Sequence, residues 1–384
     1  MNQRIYKYDN VKALLILLVV IGHMTTDYVS DSHLVRWTTL WIYSFHMPAF
    51  IFISGLVHKH YITNEKAELG VKGETRMRWD KVWGFFLCGY GLKIFLQFTR
   101  TLMGQNPLWH WIAEPGIPWY LFVMAEYEML FYFMRKINDK VKPPVMVAGA
   151  FVLSALFGYL PIDGDVFCIA RMVNFLPIYM IGYYLDMKSF APAVDKLRYK
   201  VISAVIVVTT LLVCYLGPWS CYSWRKWFTG RRSYEFLTDF FEGAVTWGWA
   251  IRPAVWAYAI ILSLAIIILI PDRHLGYVTI VGERTLNIYF WHRPVCYLFR
   301  NWAVLPKLCV LFGGTYNAAV AGQAKGLAFG GSEWSMVAAF IVYCIIGAAM
   351  TAFFALKIFE HPCKELMKLG AWIDYLGKKK EEAA

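Results

Sequence analysis

Tyr8-Asp9-Asn10-Val11-Lys12-Ala13-Leu14-Leu15-Ile16-Leu17-Leu18-Val19-Val20-Ile21-Gly22-His23-Met24-Thr25-Thr26-Asp27-Tyr28 is apolar enough from Val11 onward to cross a bilayer. It nevertheless carries Lys12 at one end, His23 far along it and Asp27 one helical turn further on. Ionisable groups in such a segment are costly, so they mark function more readily than decoration. Lys12 and His23 lie eleven positions apart, very nearly three helical turns, so both leave the helix on one face with a rise of roughly 16 Å between them. A cation at the membrane mouth and an imidazole further in can hold a long anionic molecule by its charged end while its other end reacts.

The remainder of the chain agrees with a membrane setting. Of 384 residues, 59% are hydrophobic, 18% aromatic and only 17% charged, far from ordinary soluble composition. Apolar runs fall at 11–30, 34–57, 82–101, 118–135, 144–161, 166–186, 200–217, 244–270, 277–299 and 334–358. They predict an all-α polytopic membrane protein of about ten transmembrane helices. The expected layout is one transmembrane domain over 1–360 and a short basic cytoplasmic tail over 361–384. The first run is longer than the apolar region of a signal peptide and has no small-x-small cleavage site behind it, so it is expected to stay as the first span. With both termini cytoplasmic, the inner segments hold 24 Lys and Arg against eight in the outer ones. That asymmetry accounts for the net charge of +12 by the positive-inside rule, with no nucleic acid as partner. Eight scattered cysteines, without a Cys-x-x-Cys pair or a histidine at metal spacing, predict neither a disulfide scaffold nor a metal site. No internal repeat of the kind that builds many transporters is visible.

Three of the nine histidines, His23, His46 and His292, are expected inside spans; the other six, His58 among them, fall in loops or near span ends. The plain reading of each intramembrane histidine is a hydrogen bond between helices. His23 asks for more, because Gly22 lets another group approach and Asp27 at i+4 is placed to fix its tautomer. Pro48 follows His46 by two positions and frees a carbonyl in mid-span. Arg76 and Arg78, just before the third span, form a basic cluster suited to phosphates or lipid headgroups. Glu126 lies within the fourth span and needs a proton or a partner, for which Arg171 and His23 are both candidates. Between Gly217 and Gly243, indoles such as Trp219, Trp224 and Trp227 mix with charged residues, as in a sugar site or an interfacial aromatic belt.

Taken together, these pieces resemble the acyltransferase family 3 of integral-membrane acyltransferases. The resemblance rests on Lys12 and His23 with Asp9 before them, and on Phe45-His46-Met47-Pro48 followed by Ser54-Gly55. It rests further on Arg76 and Arg78, Trp119-Tyr120-Leu121, the stretch from Arg171 to Gly182-Tyr183-Tyr184, and Gly282 to His292. The family's basic residue is most often arginine, and Lys12 keeps the charge without the planar fork. Asp9-Asn10-Val11-Lys12 is similar to the branch that includes fucose-type sugar O-acetyltransferases.

The resemblance implies transfer of an acyl group, usually acetyl from acetyl-CoA as co-substrate, to a hydroxyl of a carbohydrate or glycolipid acceptor. The setting is a plasma (bacterial inner) membrane, with membrane lipid as a further partner. Lys12, His46, Arg76 and Arg78 are then the expected donor-binding residues. His23 is expected to act as general base or transient acyl carrier, oriented by Asp27 or Glu126, with Arg171 or His292 stabilising the oxyanion. The rival from another class is a proton-coupled secondary transporter using His23, Asp27, Glu126 and Arg171 as a relay.

Overall fold

The computed structural model describes residues 4–69, 77–113, 116–138, 140–162, 166–322 and 328–383. Its helices in chain order are α1 (Lys7–Thr25), α2 (His33–Leu69), α3 (Trp79–Leu102), α4 (Trp119–Asn138), α5 (Pro143–Phe157), α6 (Ile169–Tyr184), α7 (Met187–Ala193) and α8 (Leu197–Leu216). They continue as α9 (Arg225–Phe228), α10 (Tyr234–Leu237), α11 (Ala244–Leu269), α12 (Tyr277–Glu283), α13 (Thr285–Asn301), α14 (Val304–Leu311), α15 (Glu333–Phe354) and α16 (Cys363–Ala383). A two-residue antiparallel pairing of Thr315–Tyr316 with Phe329–Gly330 is the only sheet among the described residues.

Every expected apolar run is helical, and seven helices among the described residues have the length and composition to cross a membrane. They are α1, α2, α3, α6, α8, α11 and α15, some with an added turn at one end. The rest of the ten fall short for visible reasons. α4 carries Glu126, Glu128, Arg135 and Lys136, and α5 has 15 residues. The run 277–299 divides at Arg284, whose φ of −111° and ψ of 28° separate α12 from α13. α8 shows what lipid contact asks of a sequence: Val201, Ile202, Val205, Val208, Leu212 and Val213 are all exposed. An apolar surface that continuous is at home in hydrocarbon and not in water.

The chain forms two compact units, and two of the boundaries between them fall within α2 and α11. The first comprises Met1–Phe50, Lys188–Phe228 and Tyr258–Phe359. There α1 packs on α12, α13 and α15, and the crossing with α12 is tight because Gly282 faces the backbone of α1. A Cβ on Gly282 would stand 1.7 Å from the Asp9 carbonyl oxygen. Small residues at crossings let helix backbones approach where no hydrophobic effect drives association. Lys7, fully buried, sends its ammonium to the carbonyls of Ile268 and Ile270 at the end of α11, where orphan acceptors and the helix dipole favour a cation.

The second unit comprises Ile51–Met187, Thr229–Ala257 and Glu360–Ala384. Gly55 and Gly182 interlock, each with a Cβ position about 2 Å from a carbonyl oxygen of the facing helix, that of Tyr179 and of Phe52 respectively. Ser154 joins α5 to α6 by donating to the Asn174 side chain at 2.9 Å, and it accepts from the Trp256 indole at 3.2 Å. The stretch read as a basic tail forms α16, whose Met367 and Gly370 lie against Gly84 of α3.

Candidate functional site

α1 ends at Thr25, and its last carbonyls would be orphans without outside donors. Thr25 and Thr26 hydroxyls serve the Gly22 carbonyl, the Tyr343 hydroxyl serves that of Met24, and the Arg293 guanidinium serves that of His23 at 3.0 Å. His23 therefore sits one turn from the end of α1 and in contact with α13. Gly22 gives the room: a Cβ there would meet the Ile42 and Tyr43 side chains of α2 at 3.3 Å.

His23 Nδ1 lies 2.8 Å from His292 Nε2, with the two rings nearly parallel at 9°. The bond partners dictate the tautomers. His292 is fully buried, and its Nδ1 lies 2.9 Å from the Ile288 carbonyl, an acceptor only, so Nδ1 carries the proton. Neutral His292 then has only a lone pair at Nε2, and the proton in the contact belongs to His23 Nδ1. This leaves His23 Nε2 unprotonated, on the half-buried ring of the pair. Such an imidazole is ready to accept a proton. It also means that His292 has no N–H left for an oxyanion: it positions His23.

The expected pairing of His23 with Asp27 is not formed. The α-helix gives way to a 3₁₀ turn at Thr26–Tyr28, which breaks the i+4 geometry, and Asp27 pairs instead with Arg300 at 3.2 Å. His46 is buried, donates from Nδ1 to the Ile42 carbonyl at 2.7 Å and lies edge-on to Tyr43. Tyr43 in turn reaches Thr26 at 3.3 Å, so His46 and the end of α1 share one neighbour.

At the other end of α1, Lys12 pairs with Asp9 at 2.9 Å, and Arg4 bridges Asp9 and Glu283. The Asp9 hydrogen bond raises the Arg4 guanidinium above its ordinary value. The mouth thus holds two cations and two carboxylates, partly open to solvent.

The second unit carries Glu126, Arg171 and Arg78, while Arg76 lies outside the described residues. Arg171 is buried and stacks 4.6 Å over the Trp119 ring; Glu126 is half-buried on α4. His58, expected near a span end where nothing needed explaining, is 5% exposed. Its Nδ1 meets the Tyr179 hydroxyl at 2.6 Å and its Nε2 faces Glu128 at 3.3 Å, with Arg78 on the other Glu128 oxygen at 3.7 Å. Neither His58–Glu128 nor His23–His292 has a local sequence signal, because each joins separate helices. Arg293 stands next to His292 in the chain, and only the fold shows that it reaches the end of α1.

A family model described as an acyltransferase domain, that of acyltransferase family 3, matches residues 5–358. The chain belongs to this family. The acyltransferase family 3 match spans Asp9, Lys12, His23, Asp27, His46, His292 and Arg293 of the first unit, with Arg4 just outside it, and Glu126, Arg171, Arg76 and Arg78 as well. Nodulation protein NolL of Mesorhizobium japonicum is similar, 24% identical over 222 residues. The match covers 56% of this chain and 57% of that protein, so the chain spans a little over half the relative's length. No solved structure matches the chain.

Proposed function

We propose that this member of acyltransferase family 3 transfers an acyl group, acetyl by preference, from cytoplasmic acyl-CoA to a hydroxyl of a carbohydrate or glycolipid acceptor at the outer face of the plasma membrane. The observation that carries the reading is the bond order Ile288 carbonyl, His292, His23, which leaves a neutral lone pair on His23 Nε2. Lys12 lies on the same helix face, roughly 16 Å away along the axis. Lys12, with Arg4 beside it across Asp9, holds the donor phosphates, and the pantetheine arm follows α1 toward His23.

His23 Nε2 takes the acceptor's hydroxyl proton as its oxygen attacks the thioester carbonyl. The C–S bond then breaks, and the CoA thiolate leaves with that proton. Arg293, held beside His23 and with its Nε unpartnered among the described residues, is a cation available to the oxyanion. In a two-step variant His23 Nε2 itself attacks the thioester carbonyl, the C–S bond breaks and the CoA thiolate leaves; the acceptor oxygen then displaces the acyl group from His23, breaking the C–N bond, and its proton goes to the bulk or to the thiolate. Family membership weighs for group transfer over the carrier reading. Purified protein is tested by thermal stabilisation with micromolar acetyl-CoA. Stabilisation of wild type and His23→Ala but not Lys12→Ala supports the reading, and no stabilisation of folded wild type refutes it.

A further inference from the structure

In the second unit α3 outruns its neighbour. α4 starts at Trp119, and Phe122 in its first turn meets Gly89 and Tyr90 of α3, with the Tyr90 and Phe122 ring centres 5.1 Å apart, so α4 begins beside the middle of α3. Beyond that level the segment 103–113, neither helix nor strand, runs back along α3. One stripe of α3 serves it. Tyr90 and Lys93 donate to the Trp111 carbonyl at 3.0 and 3.2 Å, and Lys93 also to that of Ala113 at 3.3 Å. Gln97 donates to the Leu108 carbonyl at 2.9 Å, and Arg100 to the Gln105 side chain at 3.0 Å. Positions 90, 93, 97 and 100 fall on a single helix face. From the other side the Phe167 N–H donates to the Ile112 carbonyl at 3.0 Å, with Phe167 held at a φ of 48°, a left-handed conformation that suits few residues other than glycine. Irregular backbone is tolerated at membrane depth only where protein groups take its polar atoms, and here they do. Lys93, buried on a helix of membrane-crossing length, has its reason in those carbonyls.

The side chains of the segment stay outside. Leu108, Trp109, Trp111 and Ile112, with Phe98 and Leu102 of α3, are all 46 to 73% exposed. Apolar surface of that extent marks an interaction site, and its continuity with the exposed face of a membrane-crossing helix says that lipid covers it. Its depth follows from α3, which at 24 residues is roughly 36 Å long against a hydrocarbon core of roughly 30 Å, so its last turn clears the core. Gln97 and Lys93 lie roughly 8 and 14 Å before Leu102 along the axis, which sets the segment they hold just inside the boundary. Two indoles with the exposed His110 between them are the residues of the headgroup–acyl boundary and not of the hydrocarbon centre.

We propose that Leu108, Trp109, Trp111 and Ile112 insert into the phospholipid leaflet at the end of α3 remote from Arg78, at the boundary of headgroups and acyl chains, and that Lys93 fastens the segment there from the protein side. The proposal goes beyond acyl transfer and stands or falls without it. The test is spin labelling of full-length protein in vesicles of phosphatidylcholine and phosphatidylglycerol. Leu108→Cys and Ile112→Cys are made in a background where Cys221→Ser and Cys344→Ala remove the two partly exposed cysteines. Collision with oxygen, which concentrates in hydrocarbon, is compared with collision with a neutral nickel chelate, which stays in water. Both labels should favour oxygen at least threefold more than a reference label at the exposed Lys196→Cys does. Adding Lys93→Met, which keeps the length and removes the donors, should shift the Ile112→Cys label toward the nickel chelate by a similar factor, and Lys93→Arg should restore it. Labels at 108 and 112 that match the reference, as in a water-filled funnel, overturn the proposal. So do labels that neither reagent reaches, as under a second copy of the chain. An unshifted label in folded Lys93→Met overturns the part given to Lys93.

Discussion

Replacing His292 with leucine removes the acceptor that orients His23 while keeping an apolar side chain in a fully buried place. The lost contact is the 2.8 Å bond that decides which His23 nitrogen carries the proton. A neutral hydrogen bond contributes about 0.5–1.5 kcal/mol net, and stranding its buried partner costs about 1–3 kcal/mol. If that 1–3 kcal/mol is lost from the productive tautomer and orientation, kcat falls roughly 5- to 150-fold, at about 1.4 kcal/mol per decade. His292→Gln offers a carbonyl oxygen to His23 and an amide N–H to Ile288, so it should recover part of the loss. The assay is release of the CoA thiol at saturating acetyl-CoA in membranes containing the native acceptor, with donor-induced thermal stabilisation read in parallel. Stabilisation should persist in both variants, since His292 acts on His23 and not on the donor's phosphates. A folded leucine variant with wild-type turnover would refute the tautomer argument, and a glutamine variant no better than leucine would remove its main support.

Lys12→Ala should abolish acetyl-CoA stabilisation while moving the melting temperature of the unliganded protein little, because a partly exposed pair such as Lys12–Asp9 contributes about 0–1 kcal/mol. Asp27→Asn should leave kcat within about threefold of wild type, since Asp27 serves the exposed Arg300 and not His23. Arg293→Gln should lower kcat by about 10²–10³-fold if its guanidinium meets the oxyanion, and by far less if it only caps α1. Gly282→Ala should cost more than the about 1–3 kcal/mol of ordinary overpacking, seen as a lowered melting temperature or loss of folded protein, because the obstacle is the Asp9 carbonyl and cannot rotate away.

What the sequence made legible was whatever depends on local spacing. Lys12 and His23 share a face because three turns separate them, and each apolar run is helical because nothing else can satisfy its backbone in lipid. Asp27 was misread by the same rule: i+4 holds only while the helix continues, and α1 stops at Thr25. His292 as the partner of His23 joins positions 269 residues apart, which no periodicity encodes. Lys7 counted as one more inner charge, yet it is buried on the end of α11, because its role depends on where another helix terminates. α16 was hidden for a related reason. Its mean composition is polar, and only the glycines of α3 show where its apolar side goes.

With His23 as the proposed base, a second histidine behind it, where soluble hydrolases use a carboxylate, has a physical reason in this setting. A carboxylate at the position of His292 would place a permanent anion in a fully buried part of the helix bundle, at a desolvation cost of several kcal/mol. Neutral imidazole orients its partner through the same kind of bond, weaker than a carboxylate's, and adds no charge at rest. The difference appears once His23 takes up a proton, because His292 then supplies no counter-charge, and the neighbouring Arg293 opposes the new cation. In the proposed mechanism the His23 imidazolium then gives its proton to the leaving thiolate, while the same guanidinium favours negative charge on the carbonyl oxygen under attack. A site built in this way adds no second ion beside the Arg293 guanidinium in the absence of substrate.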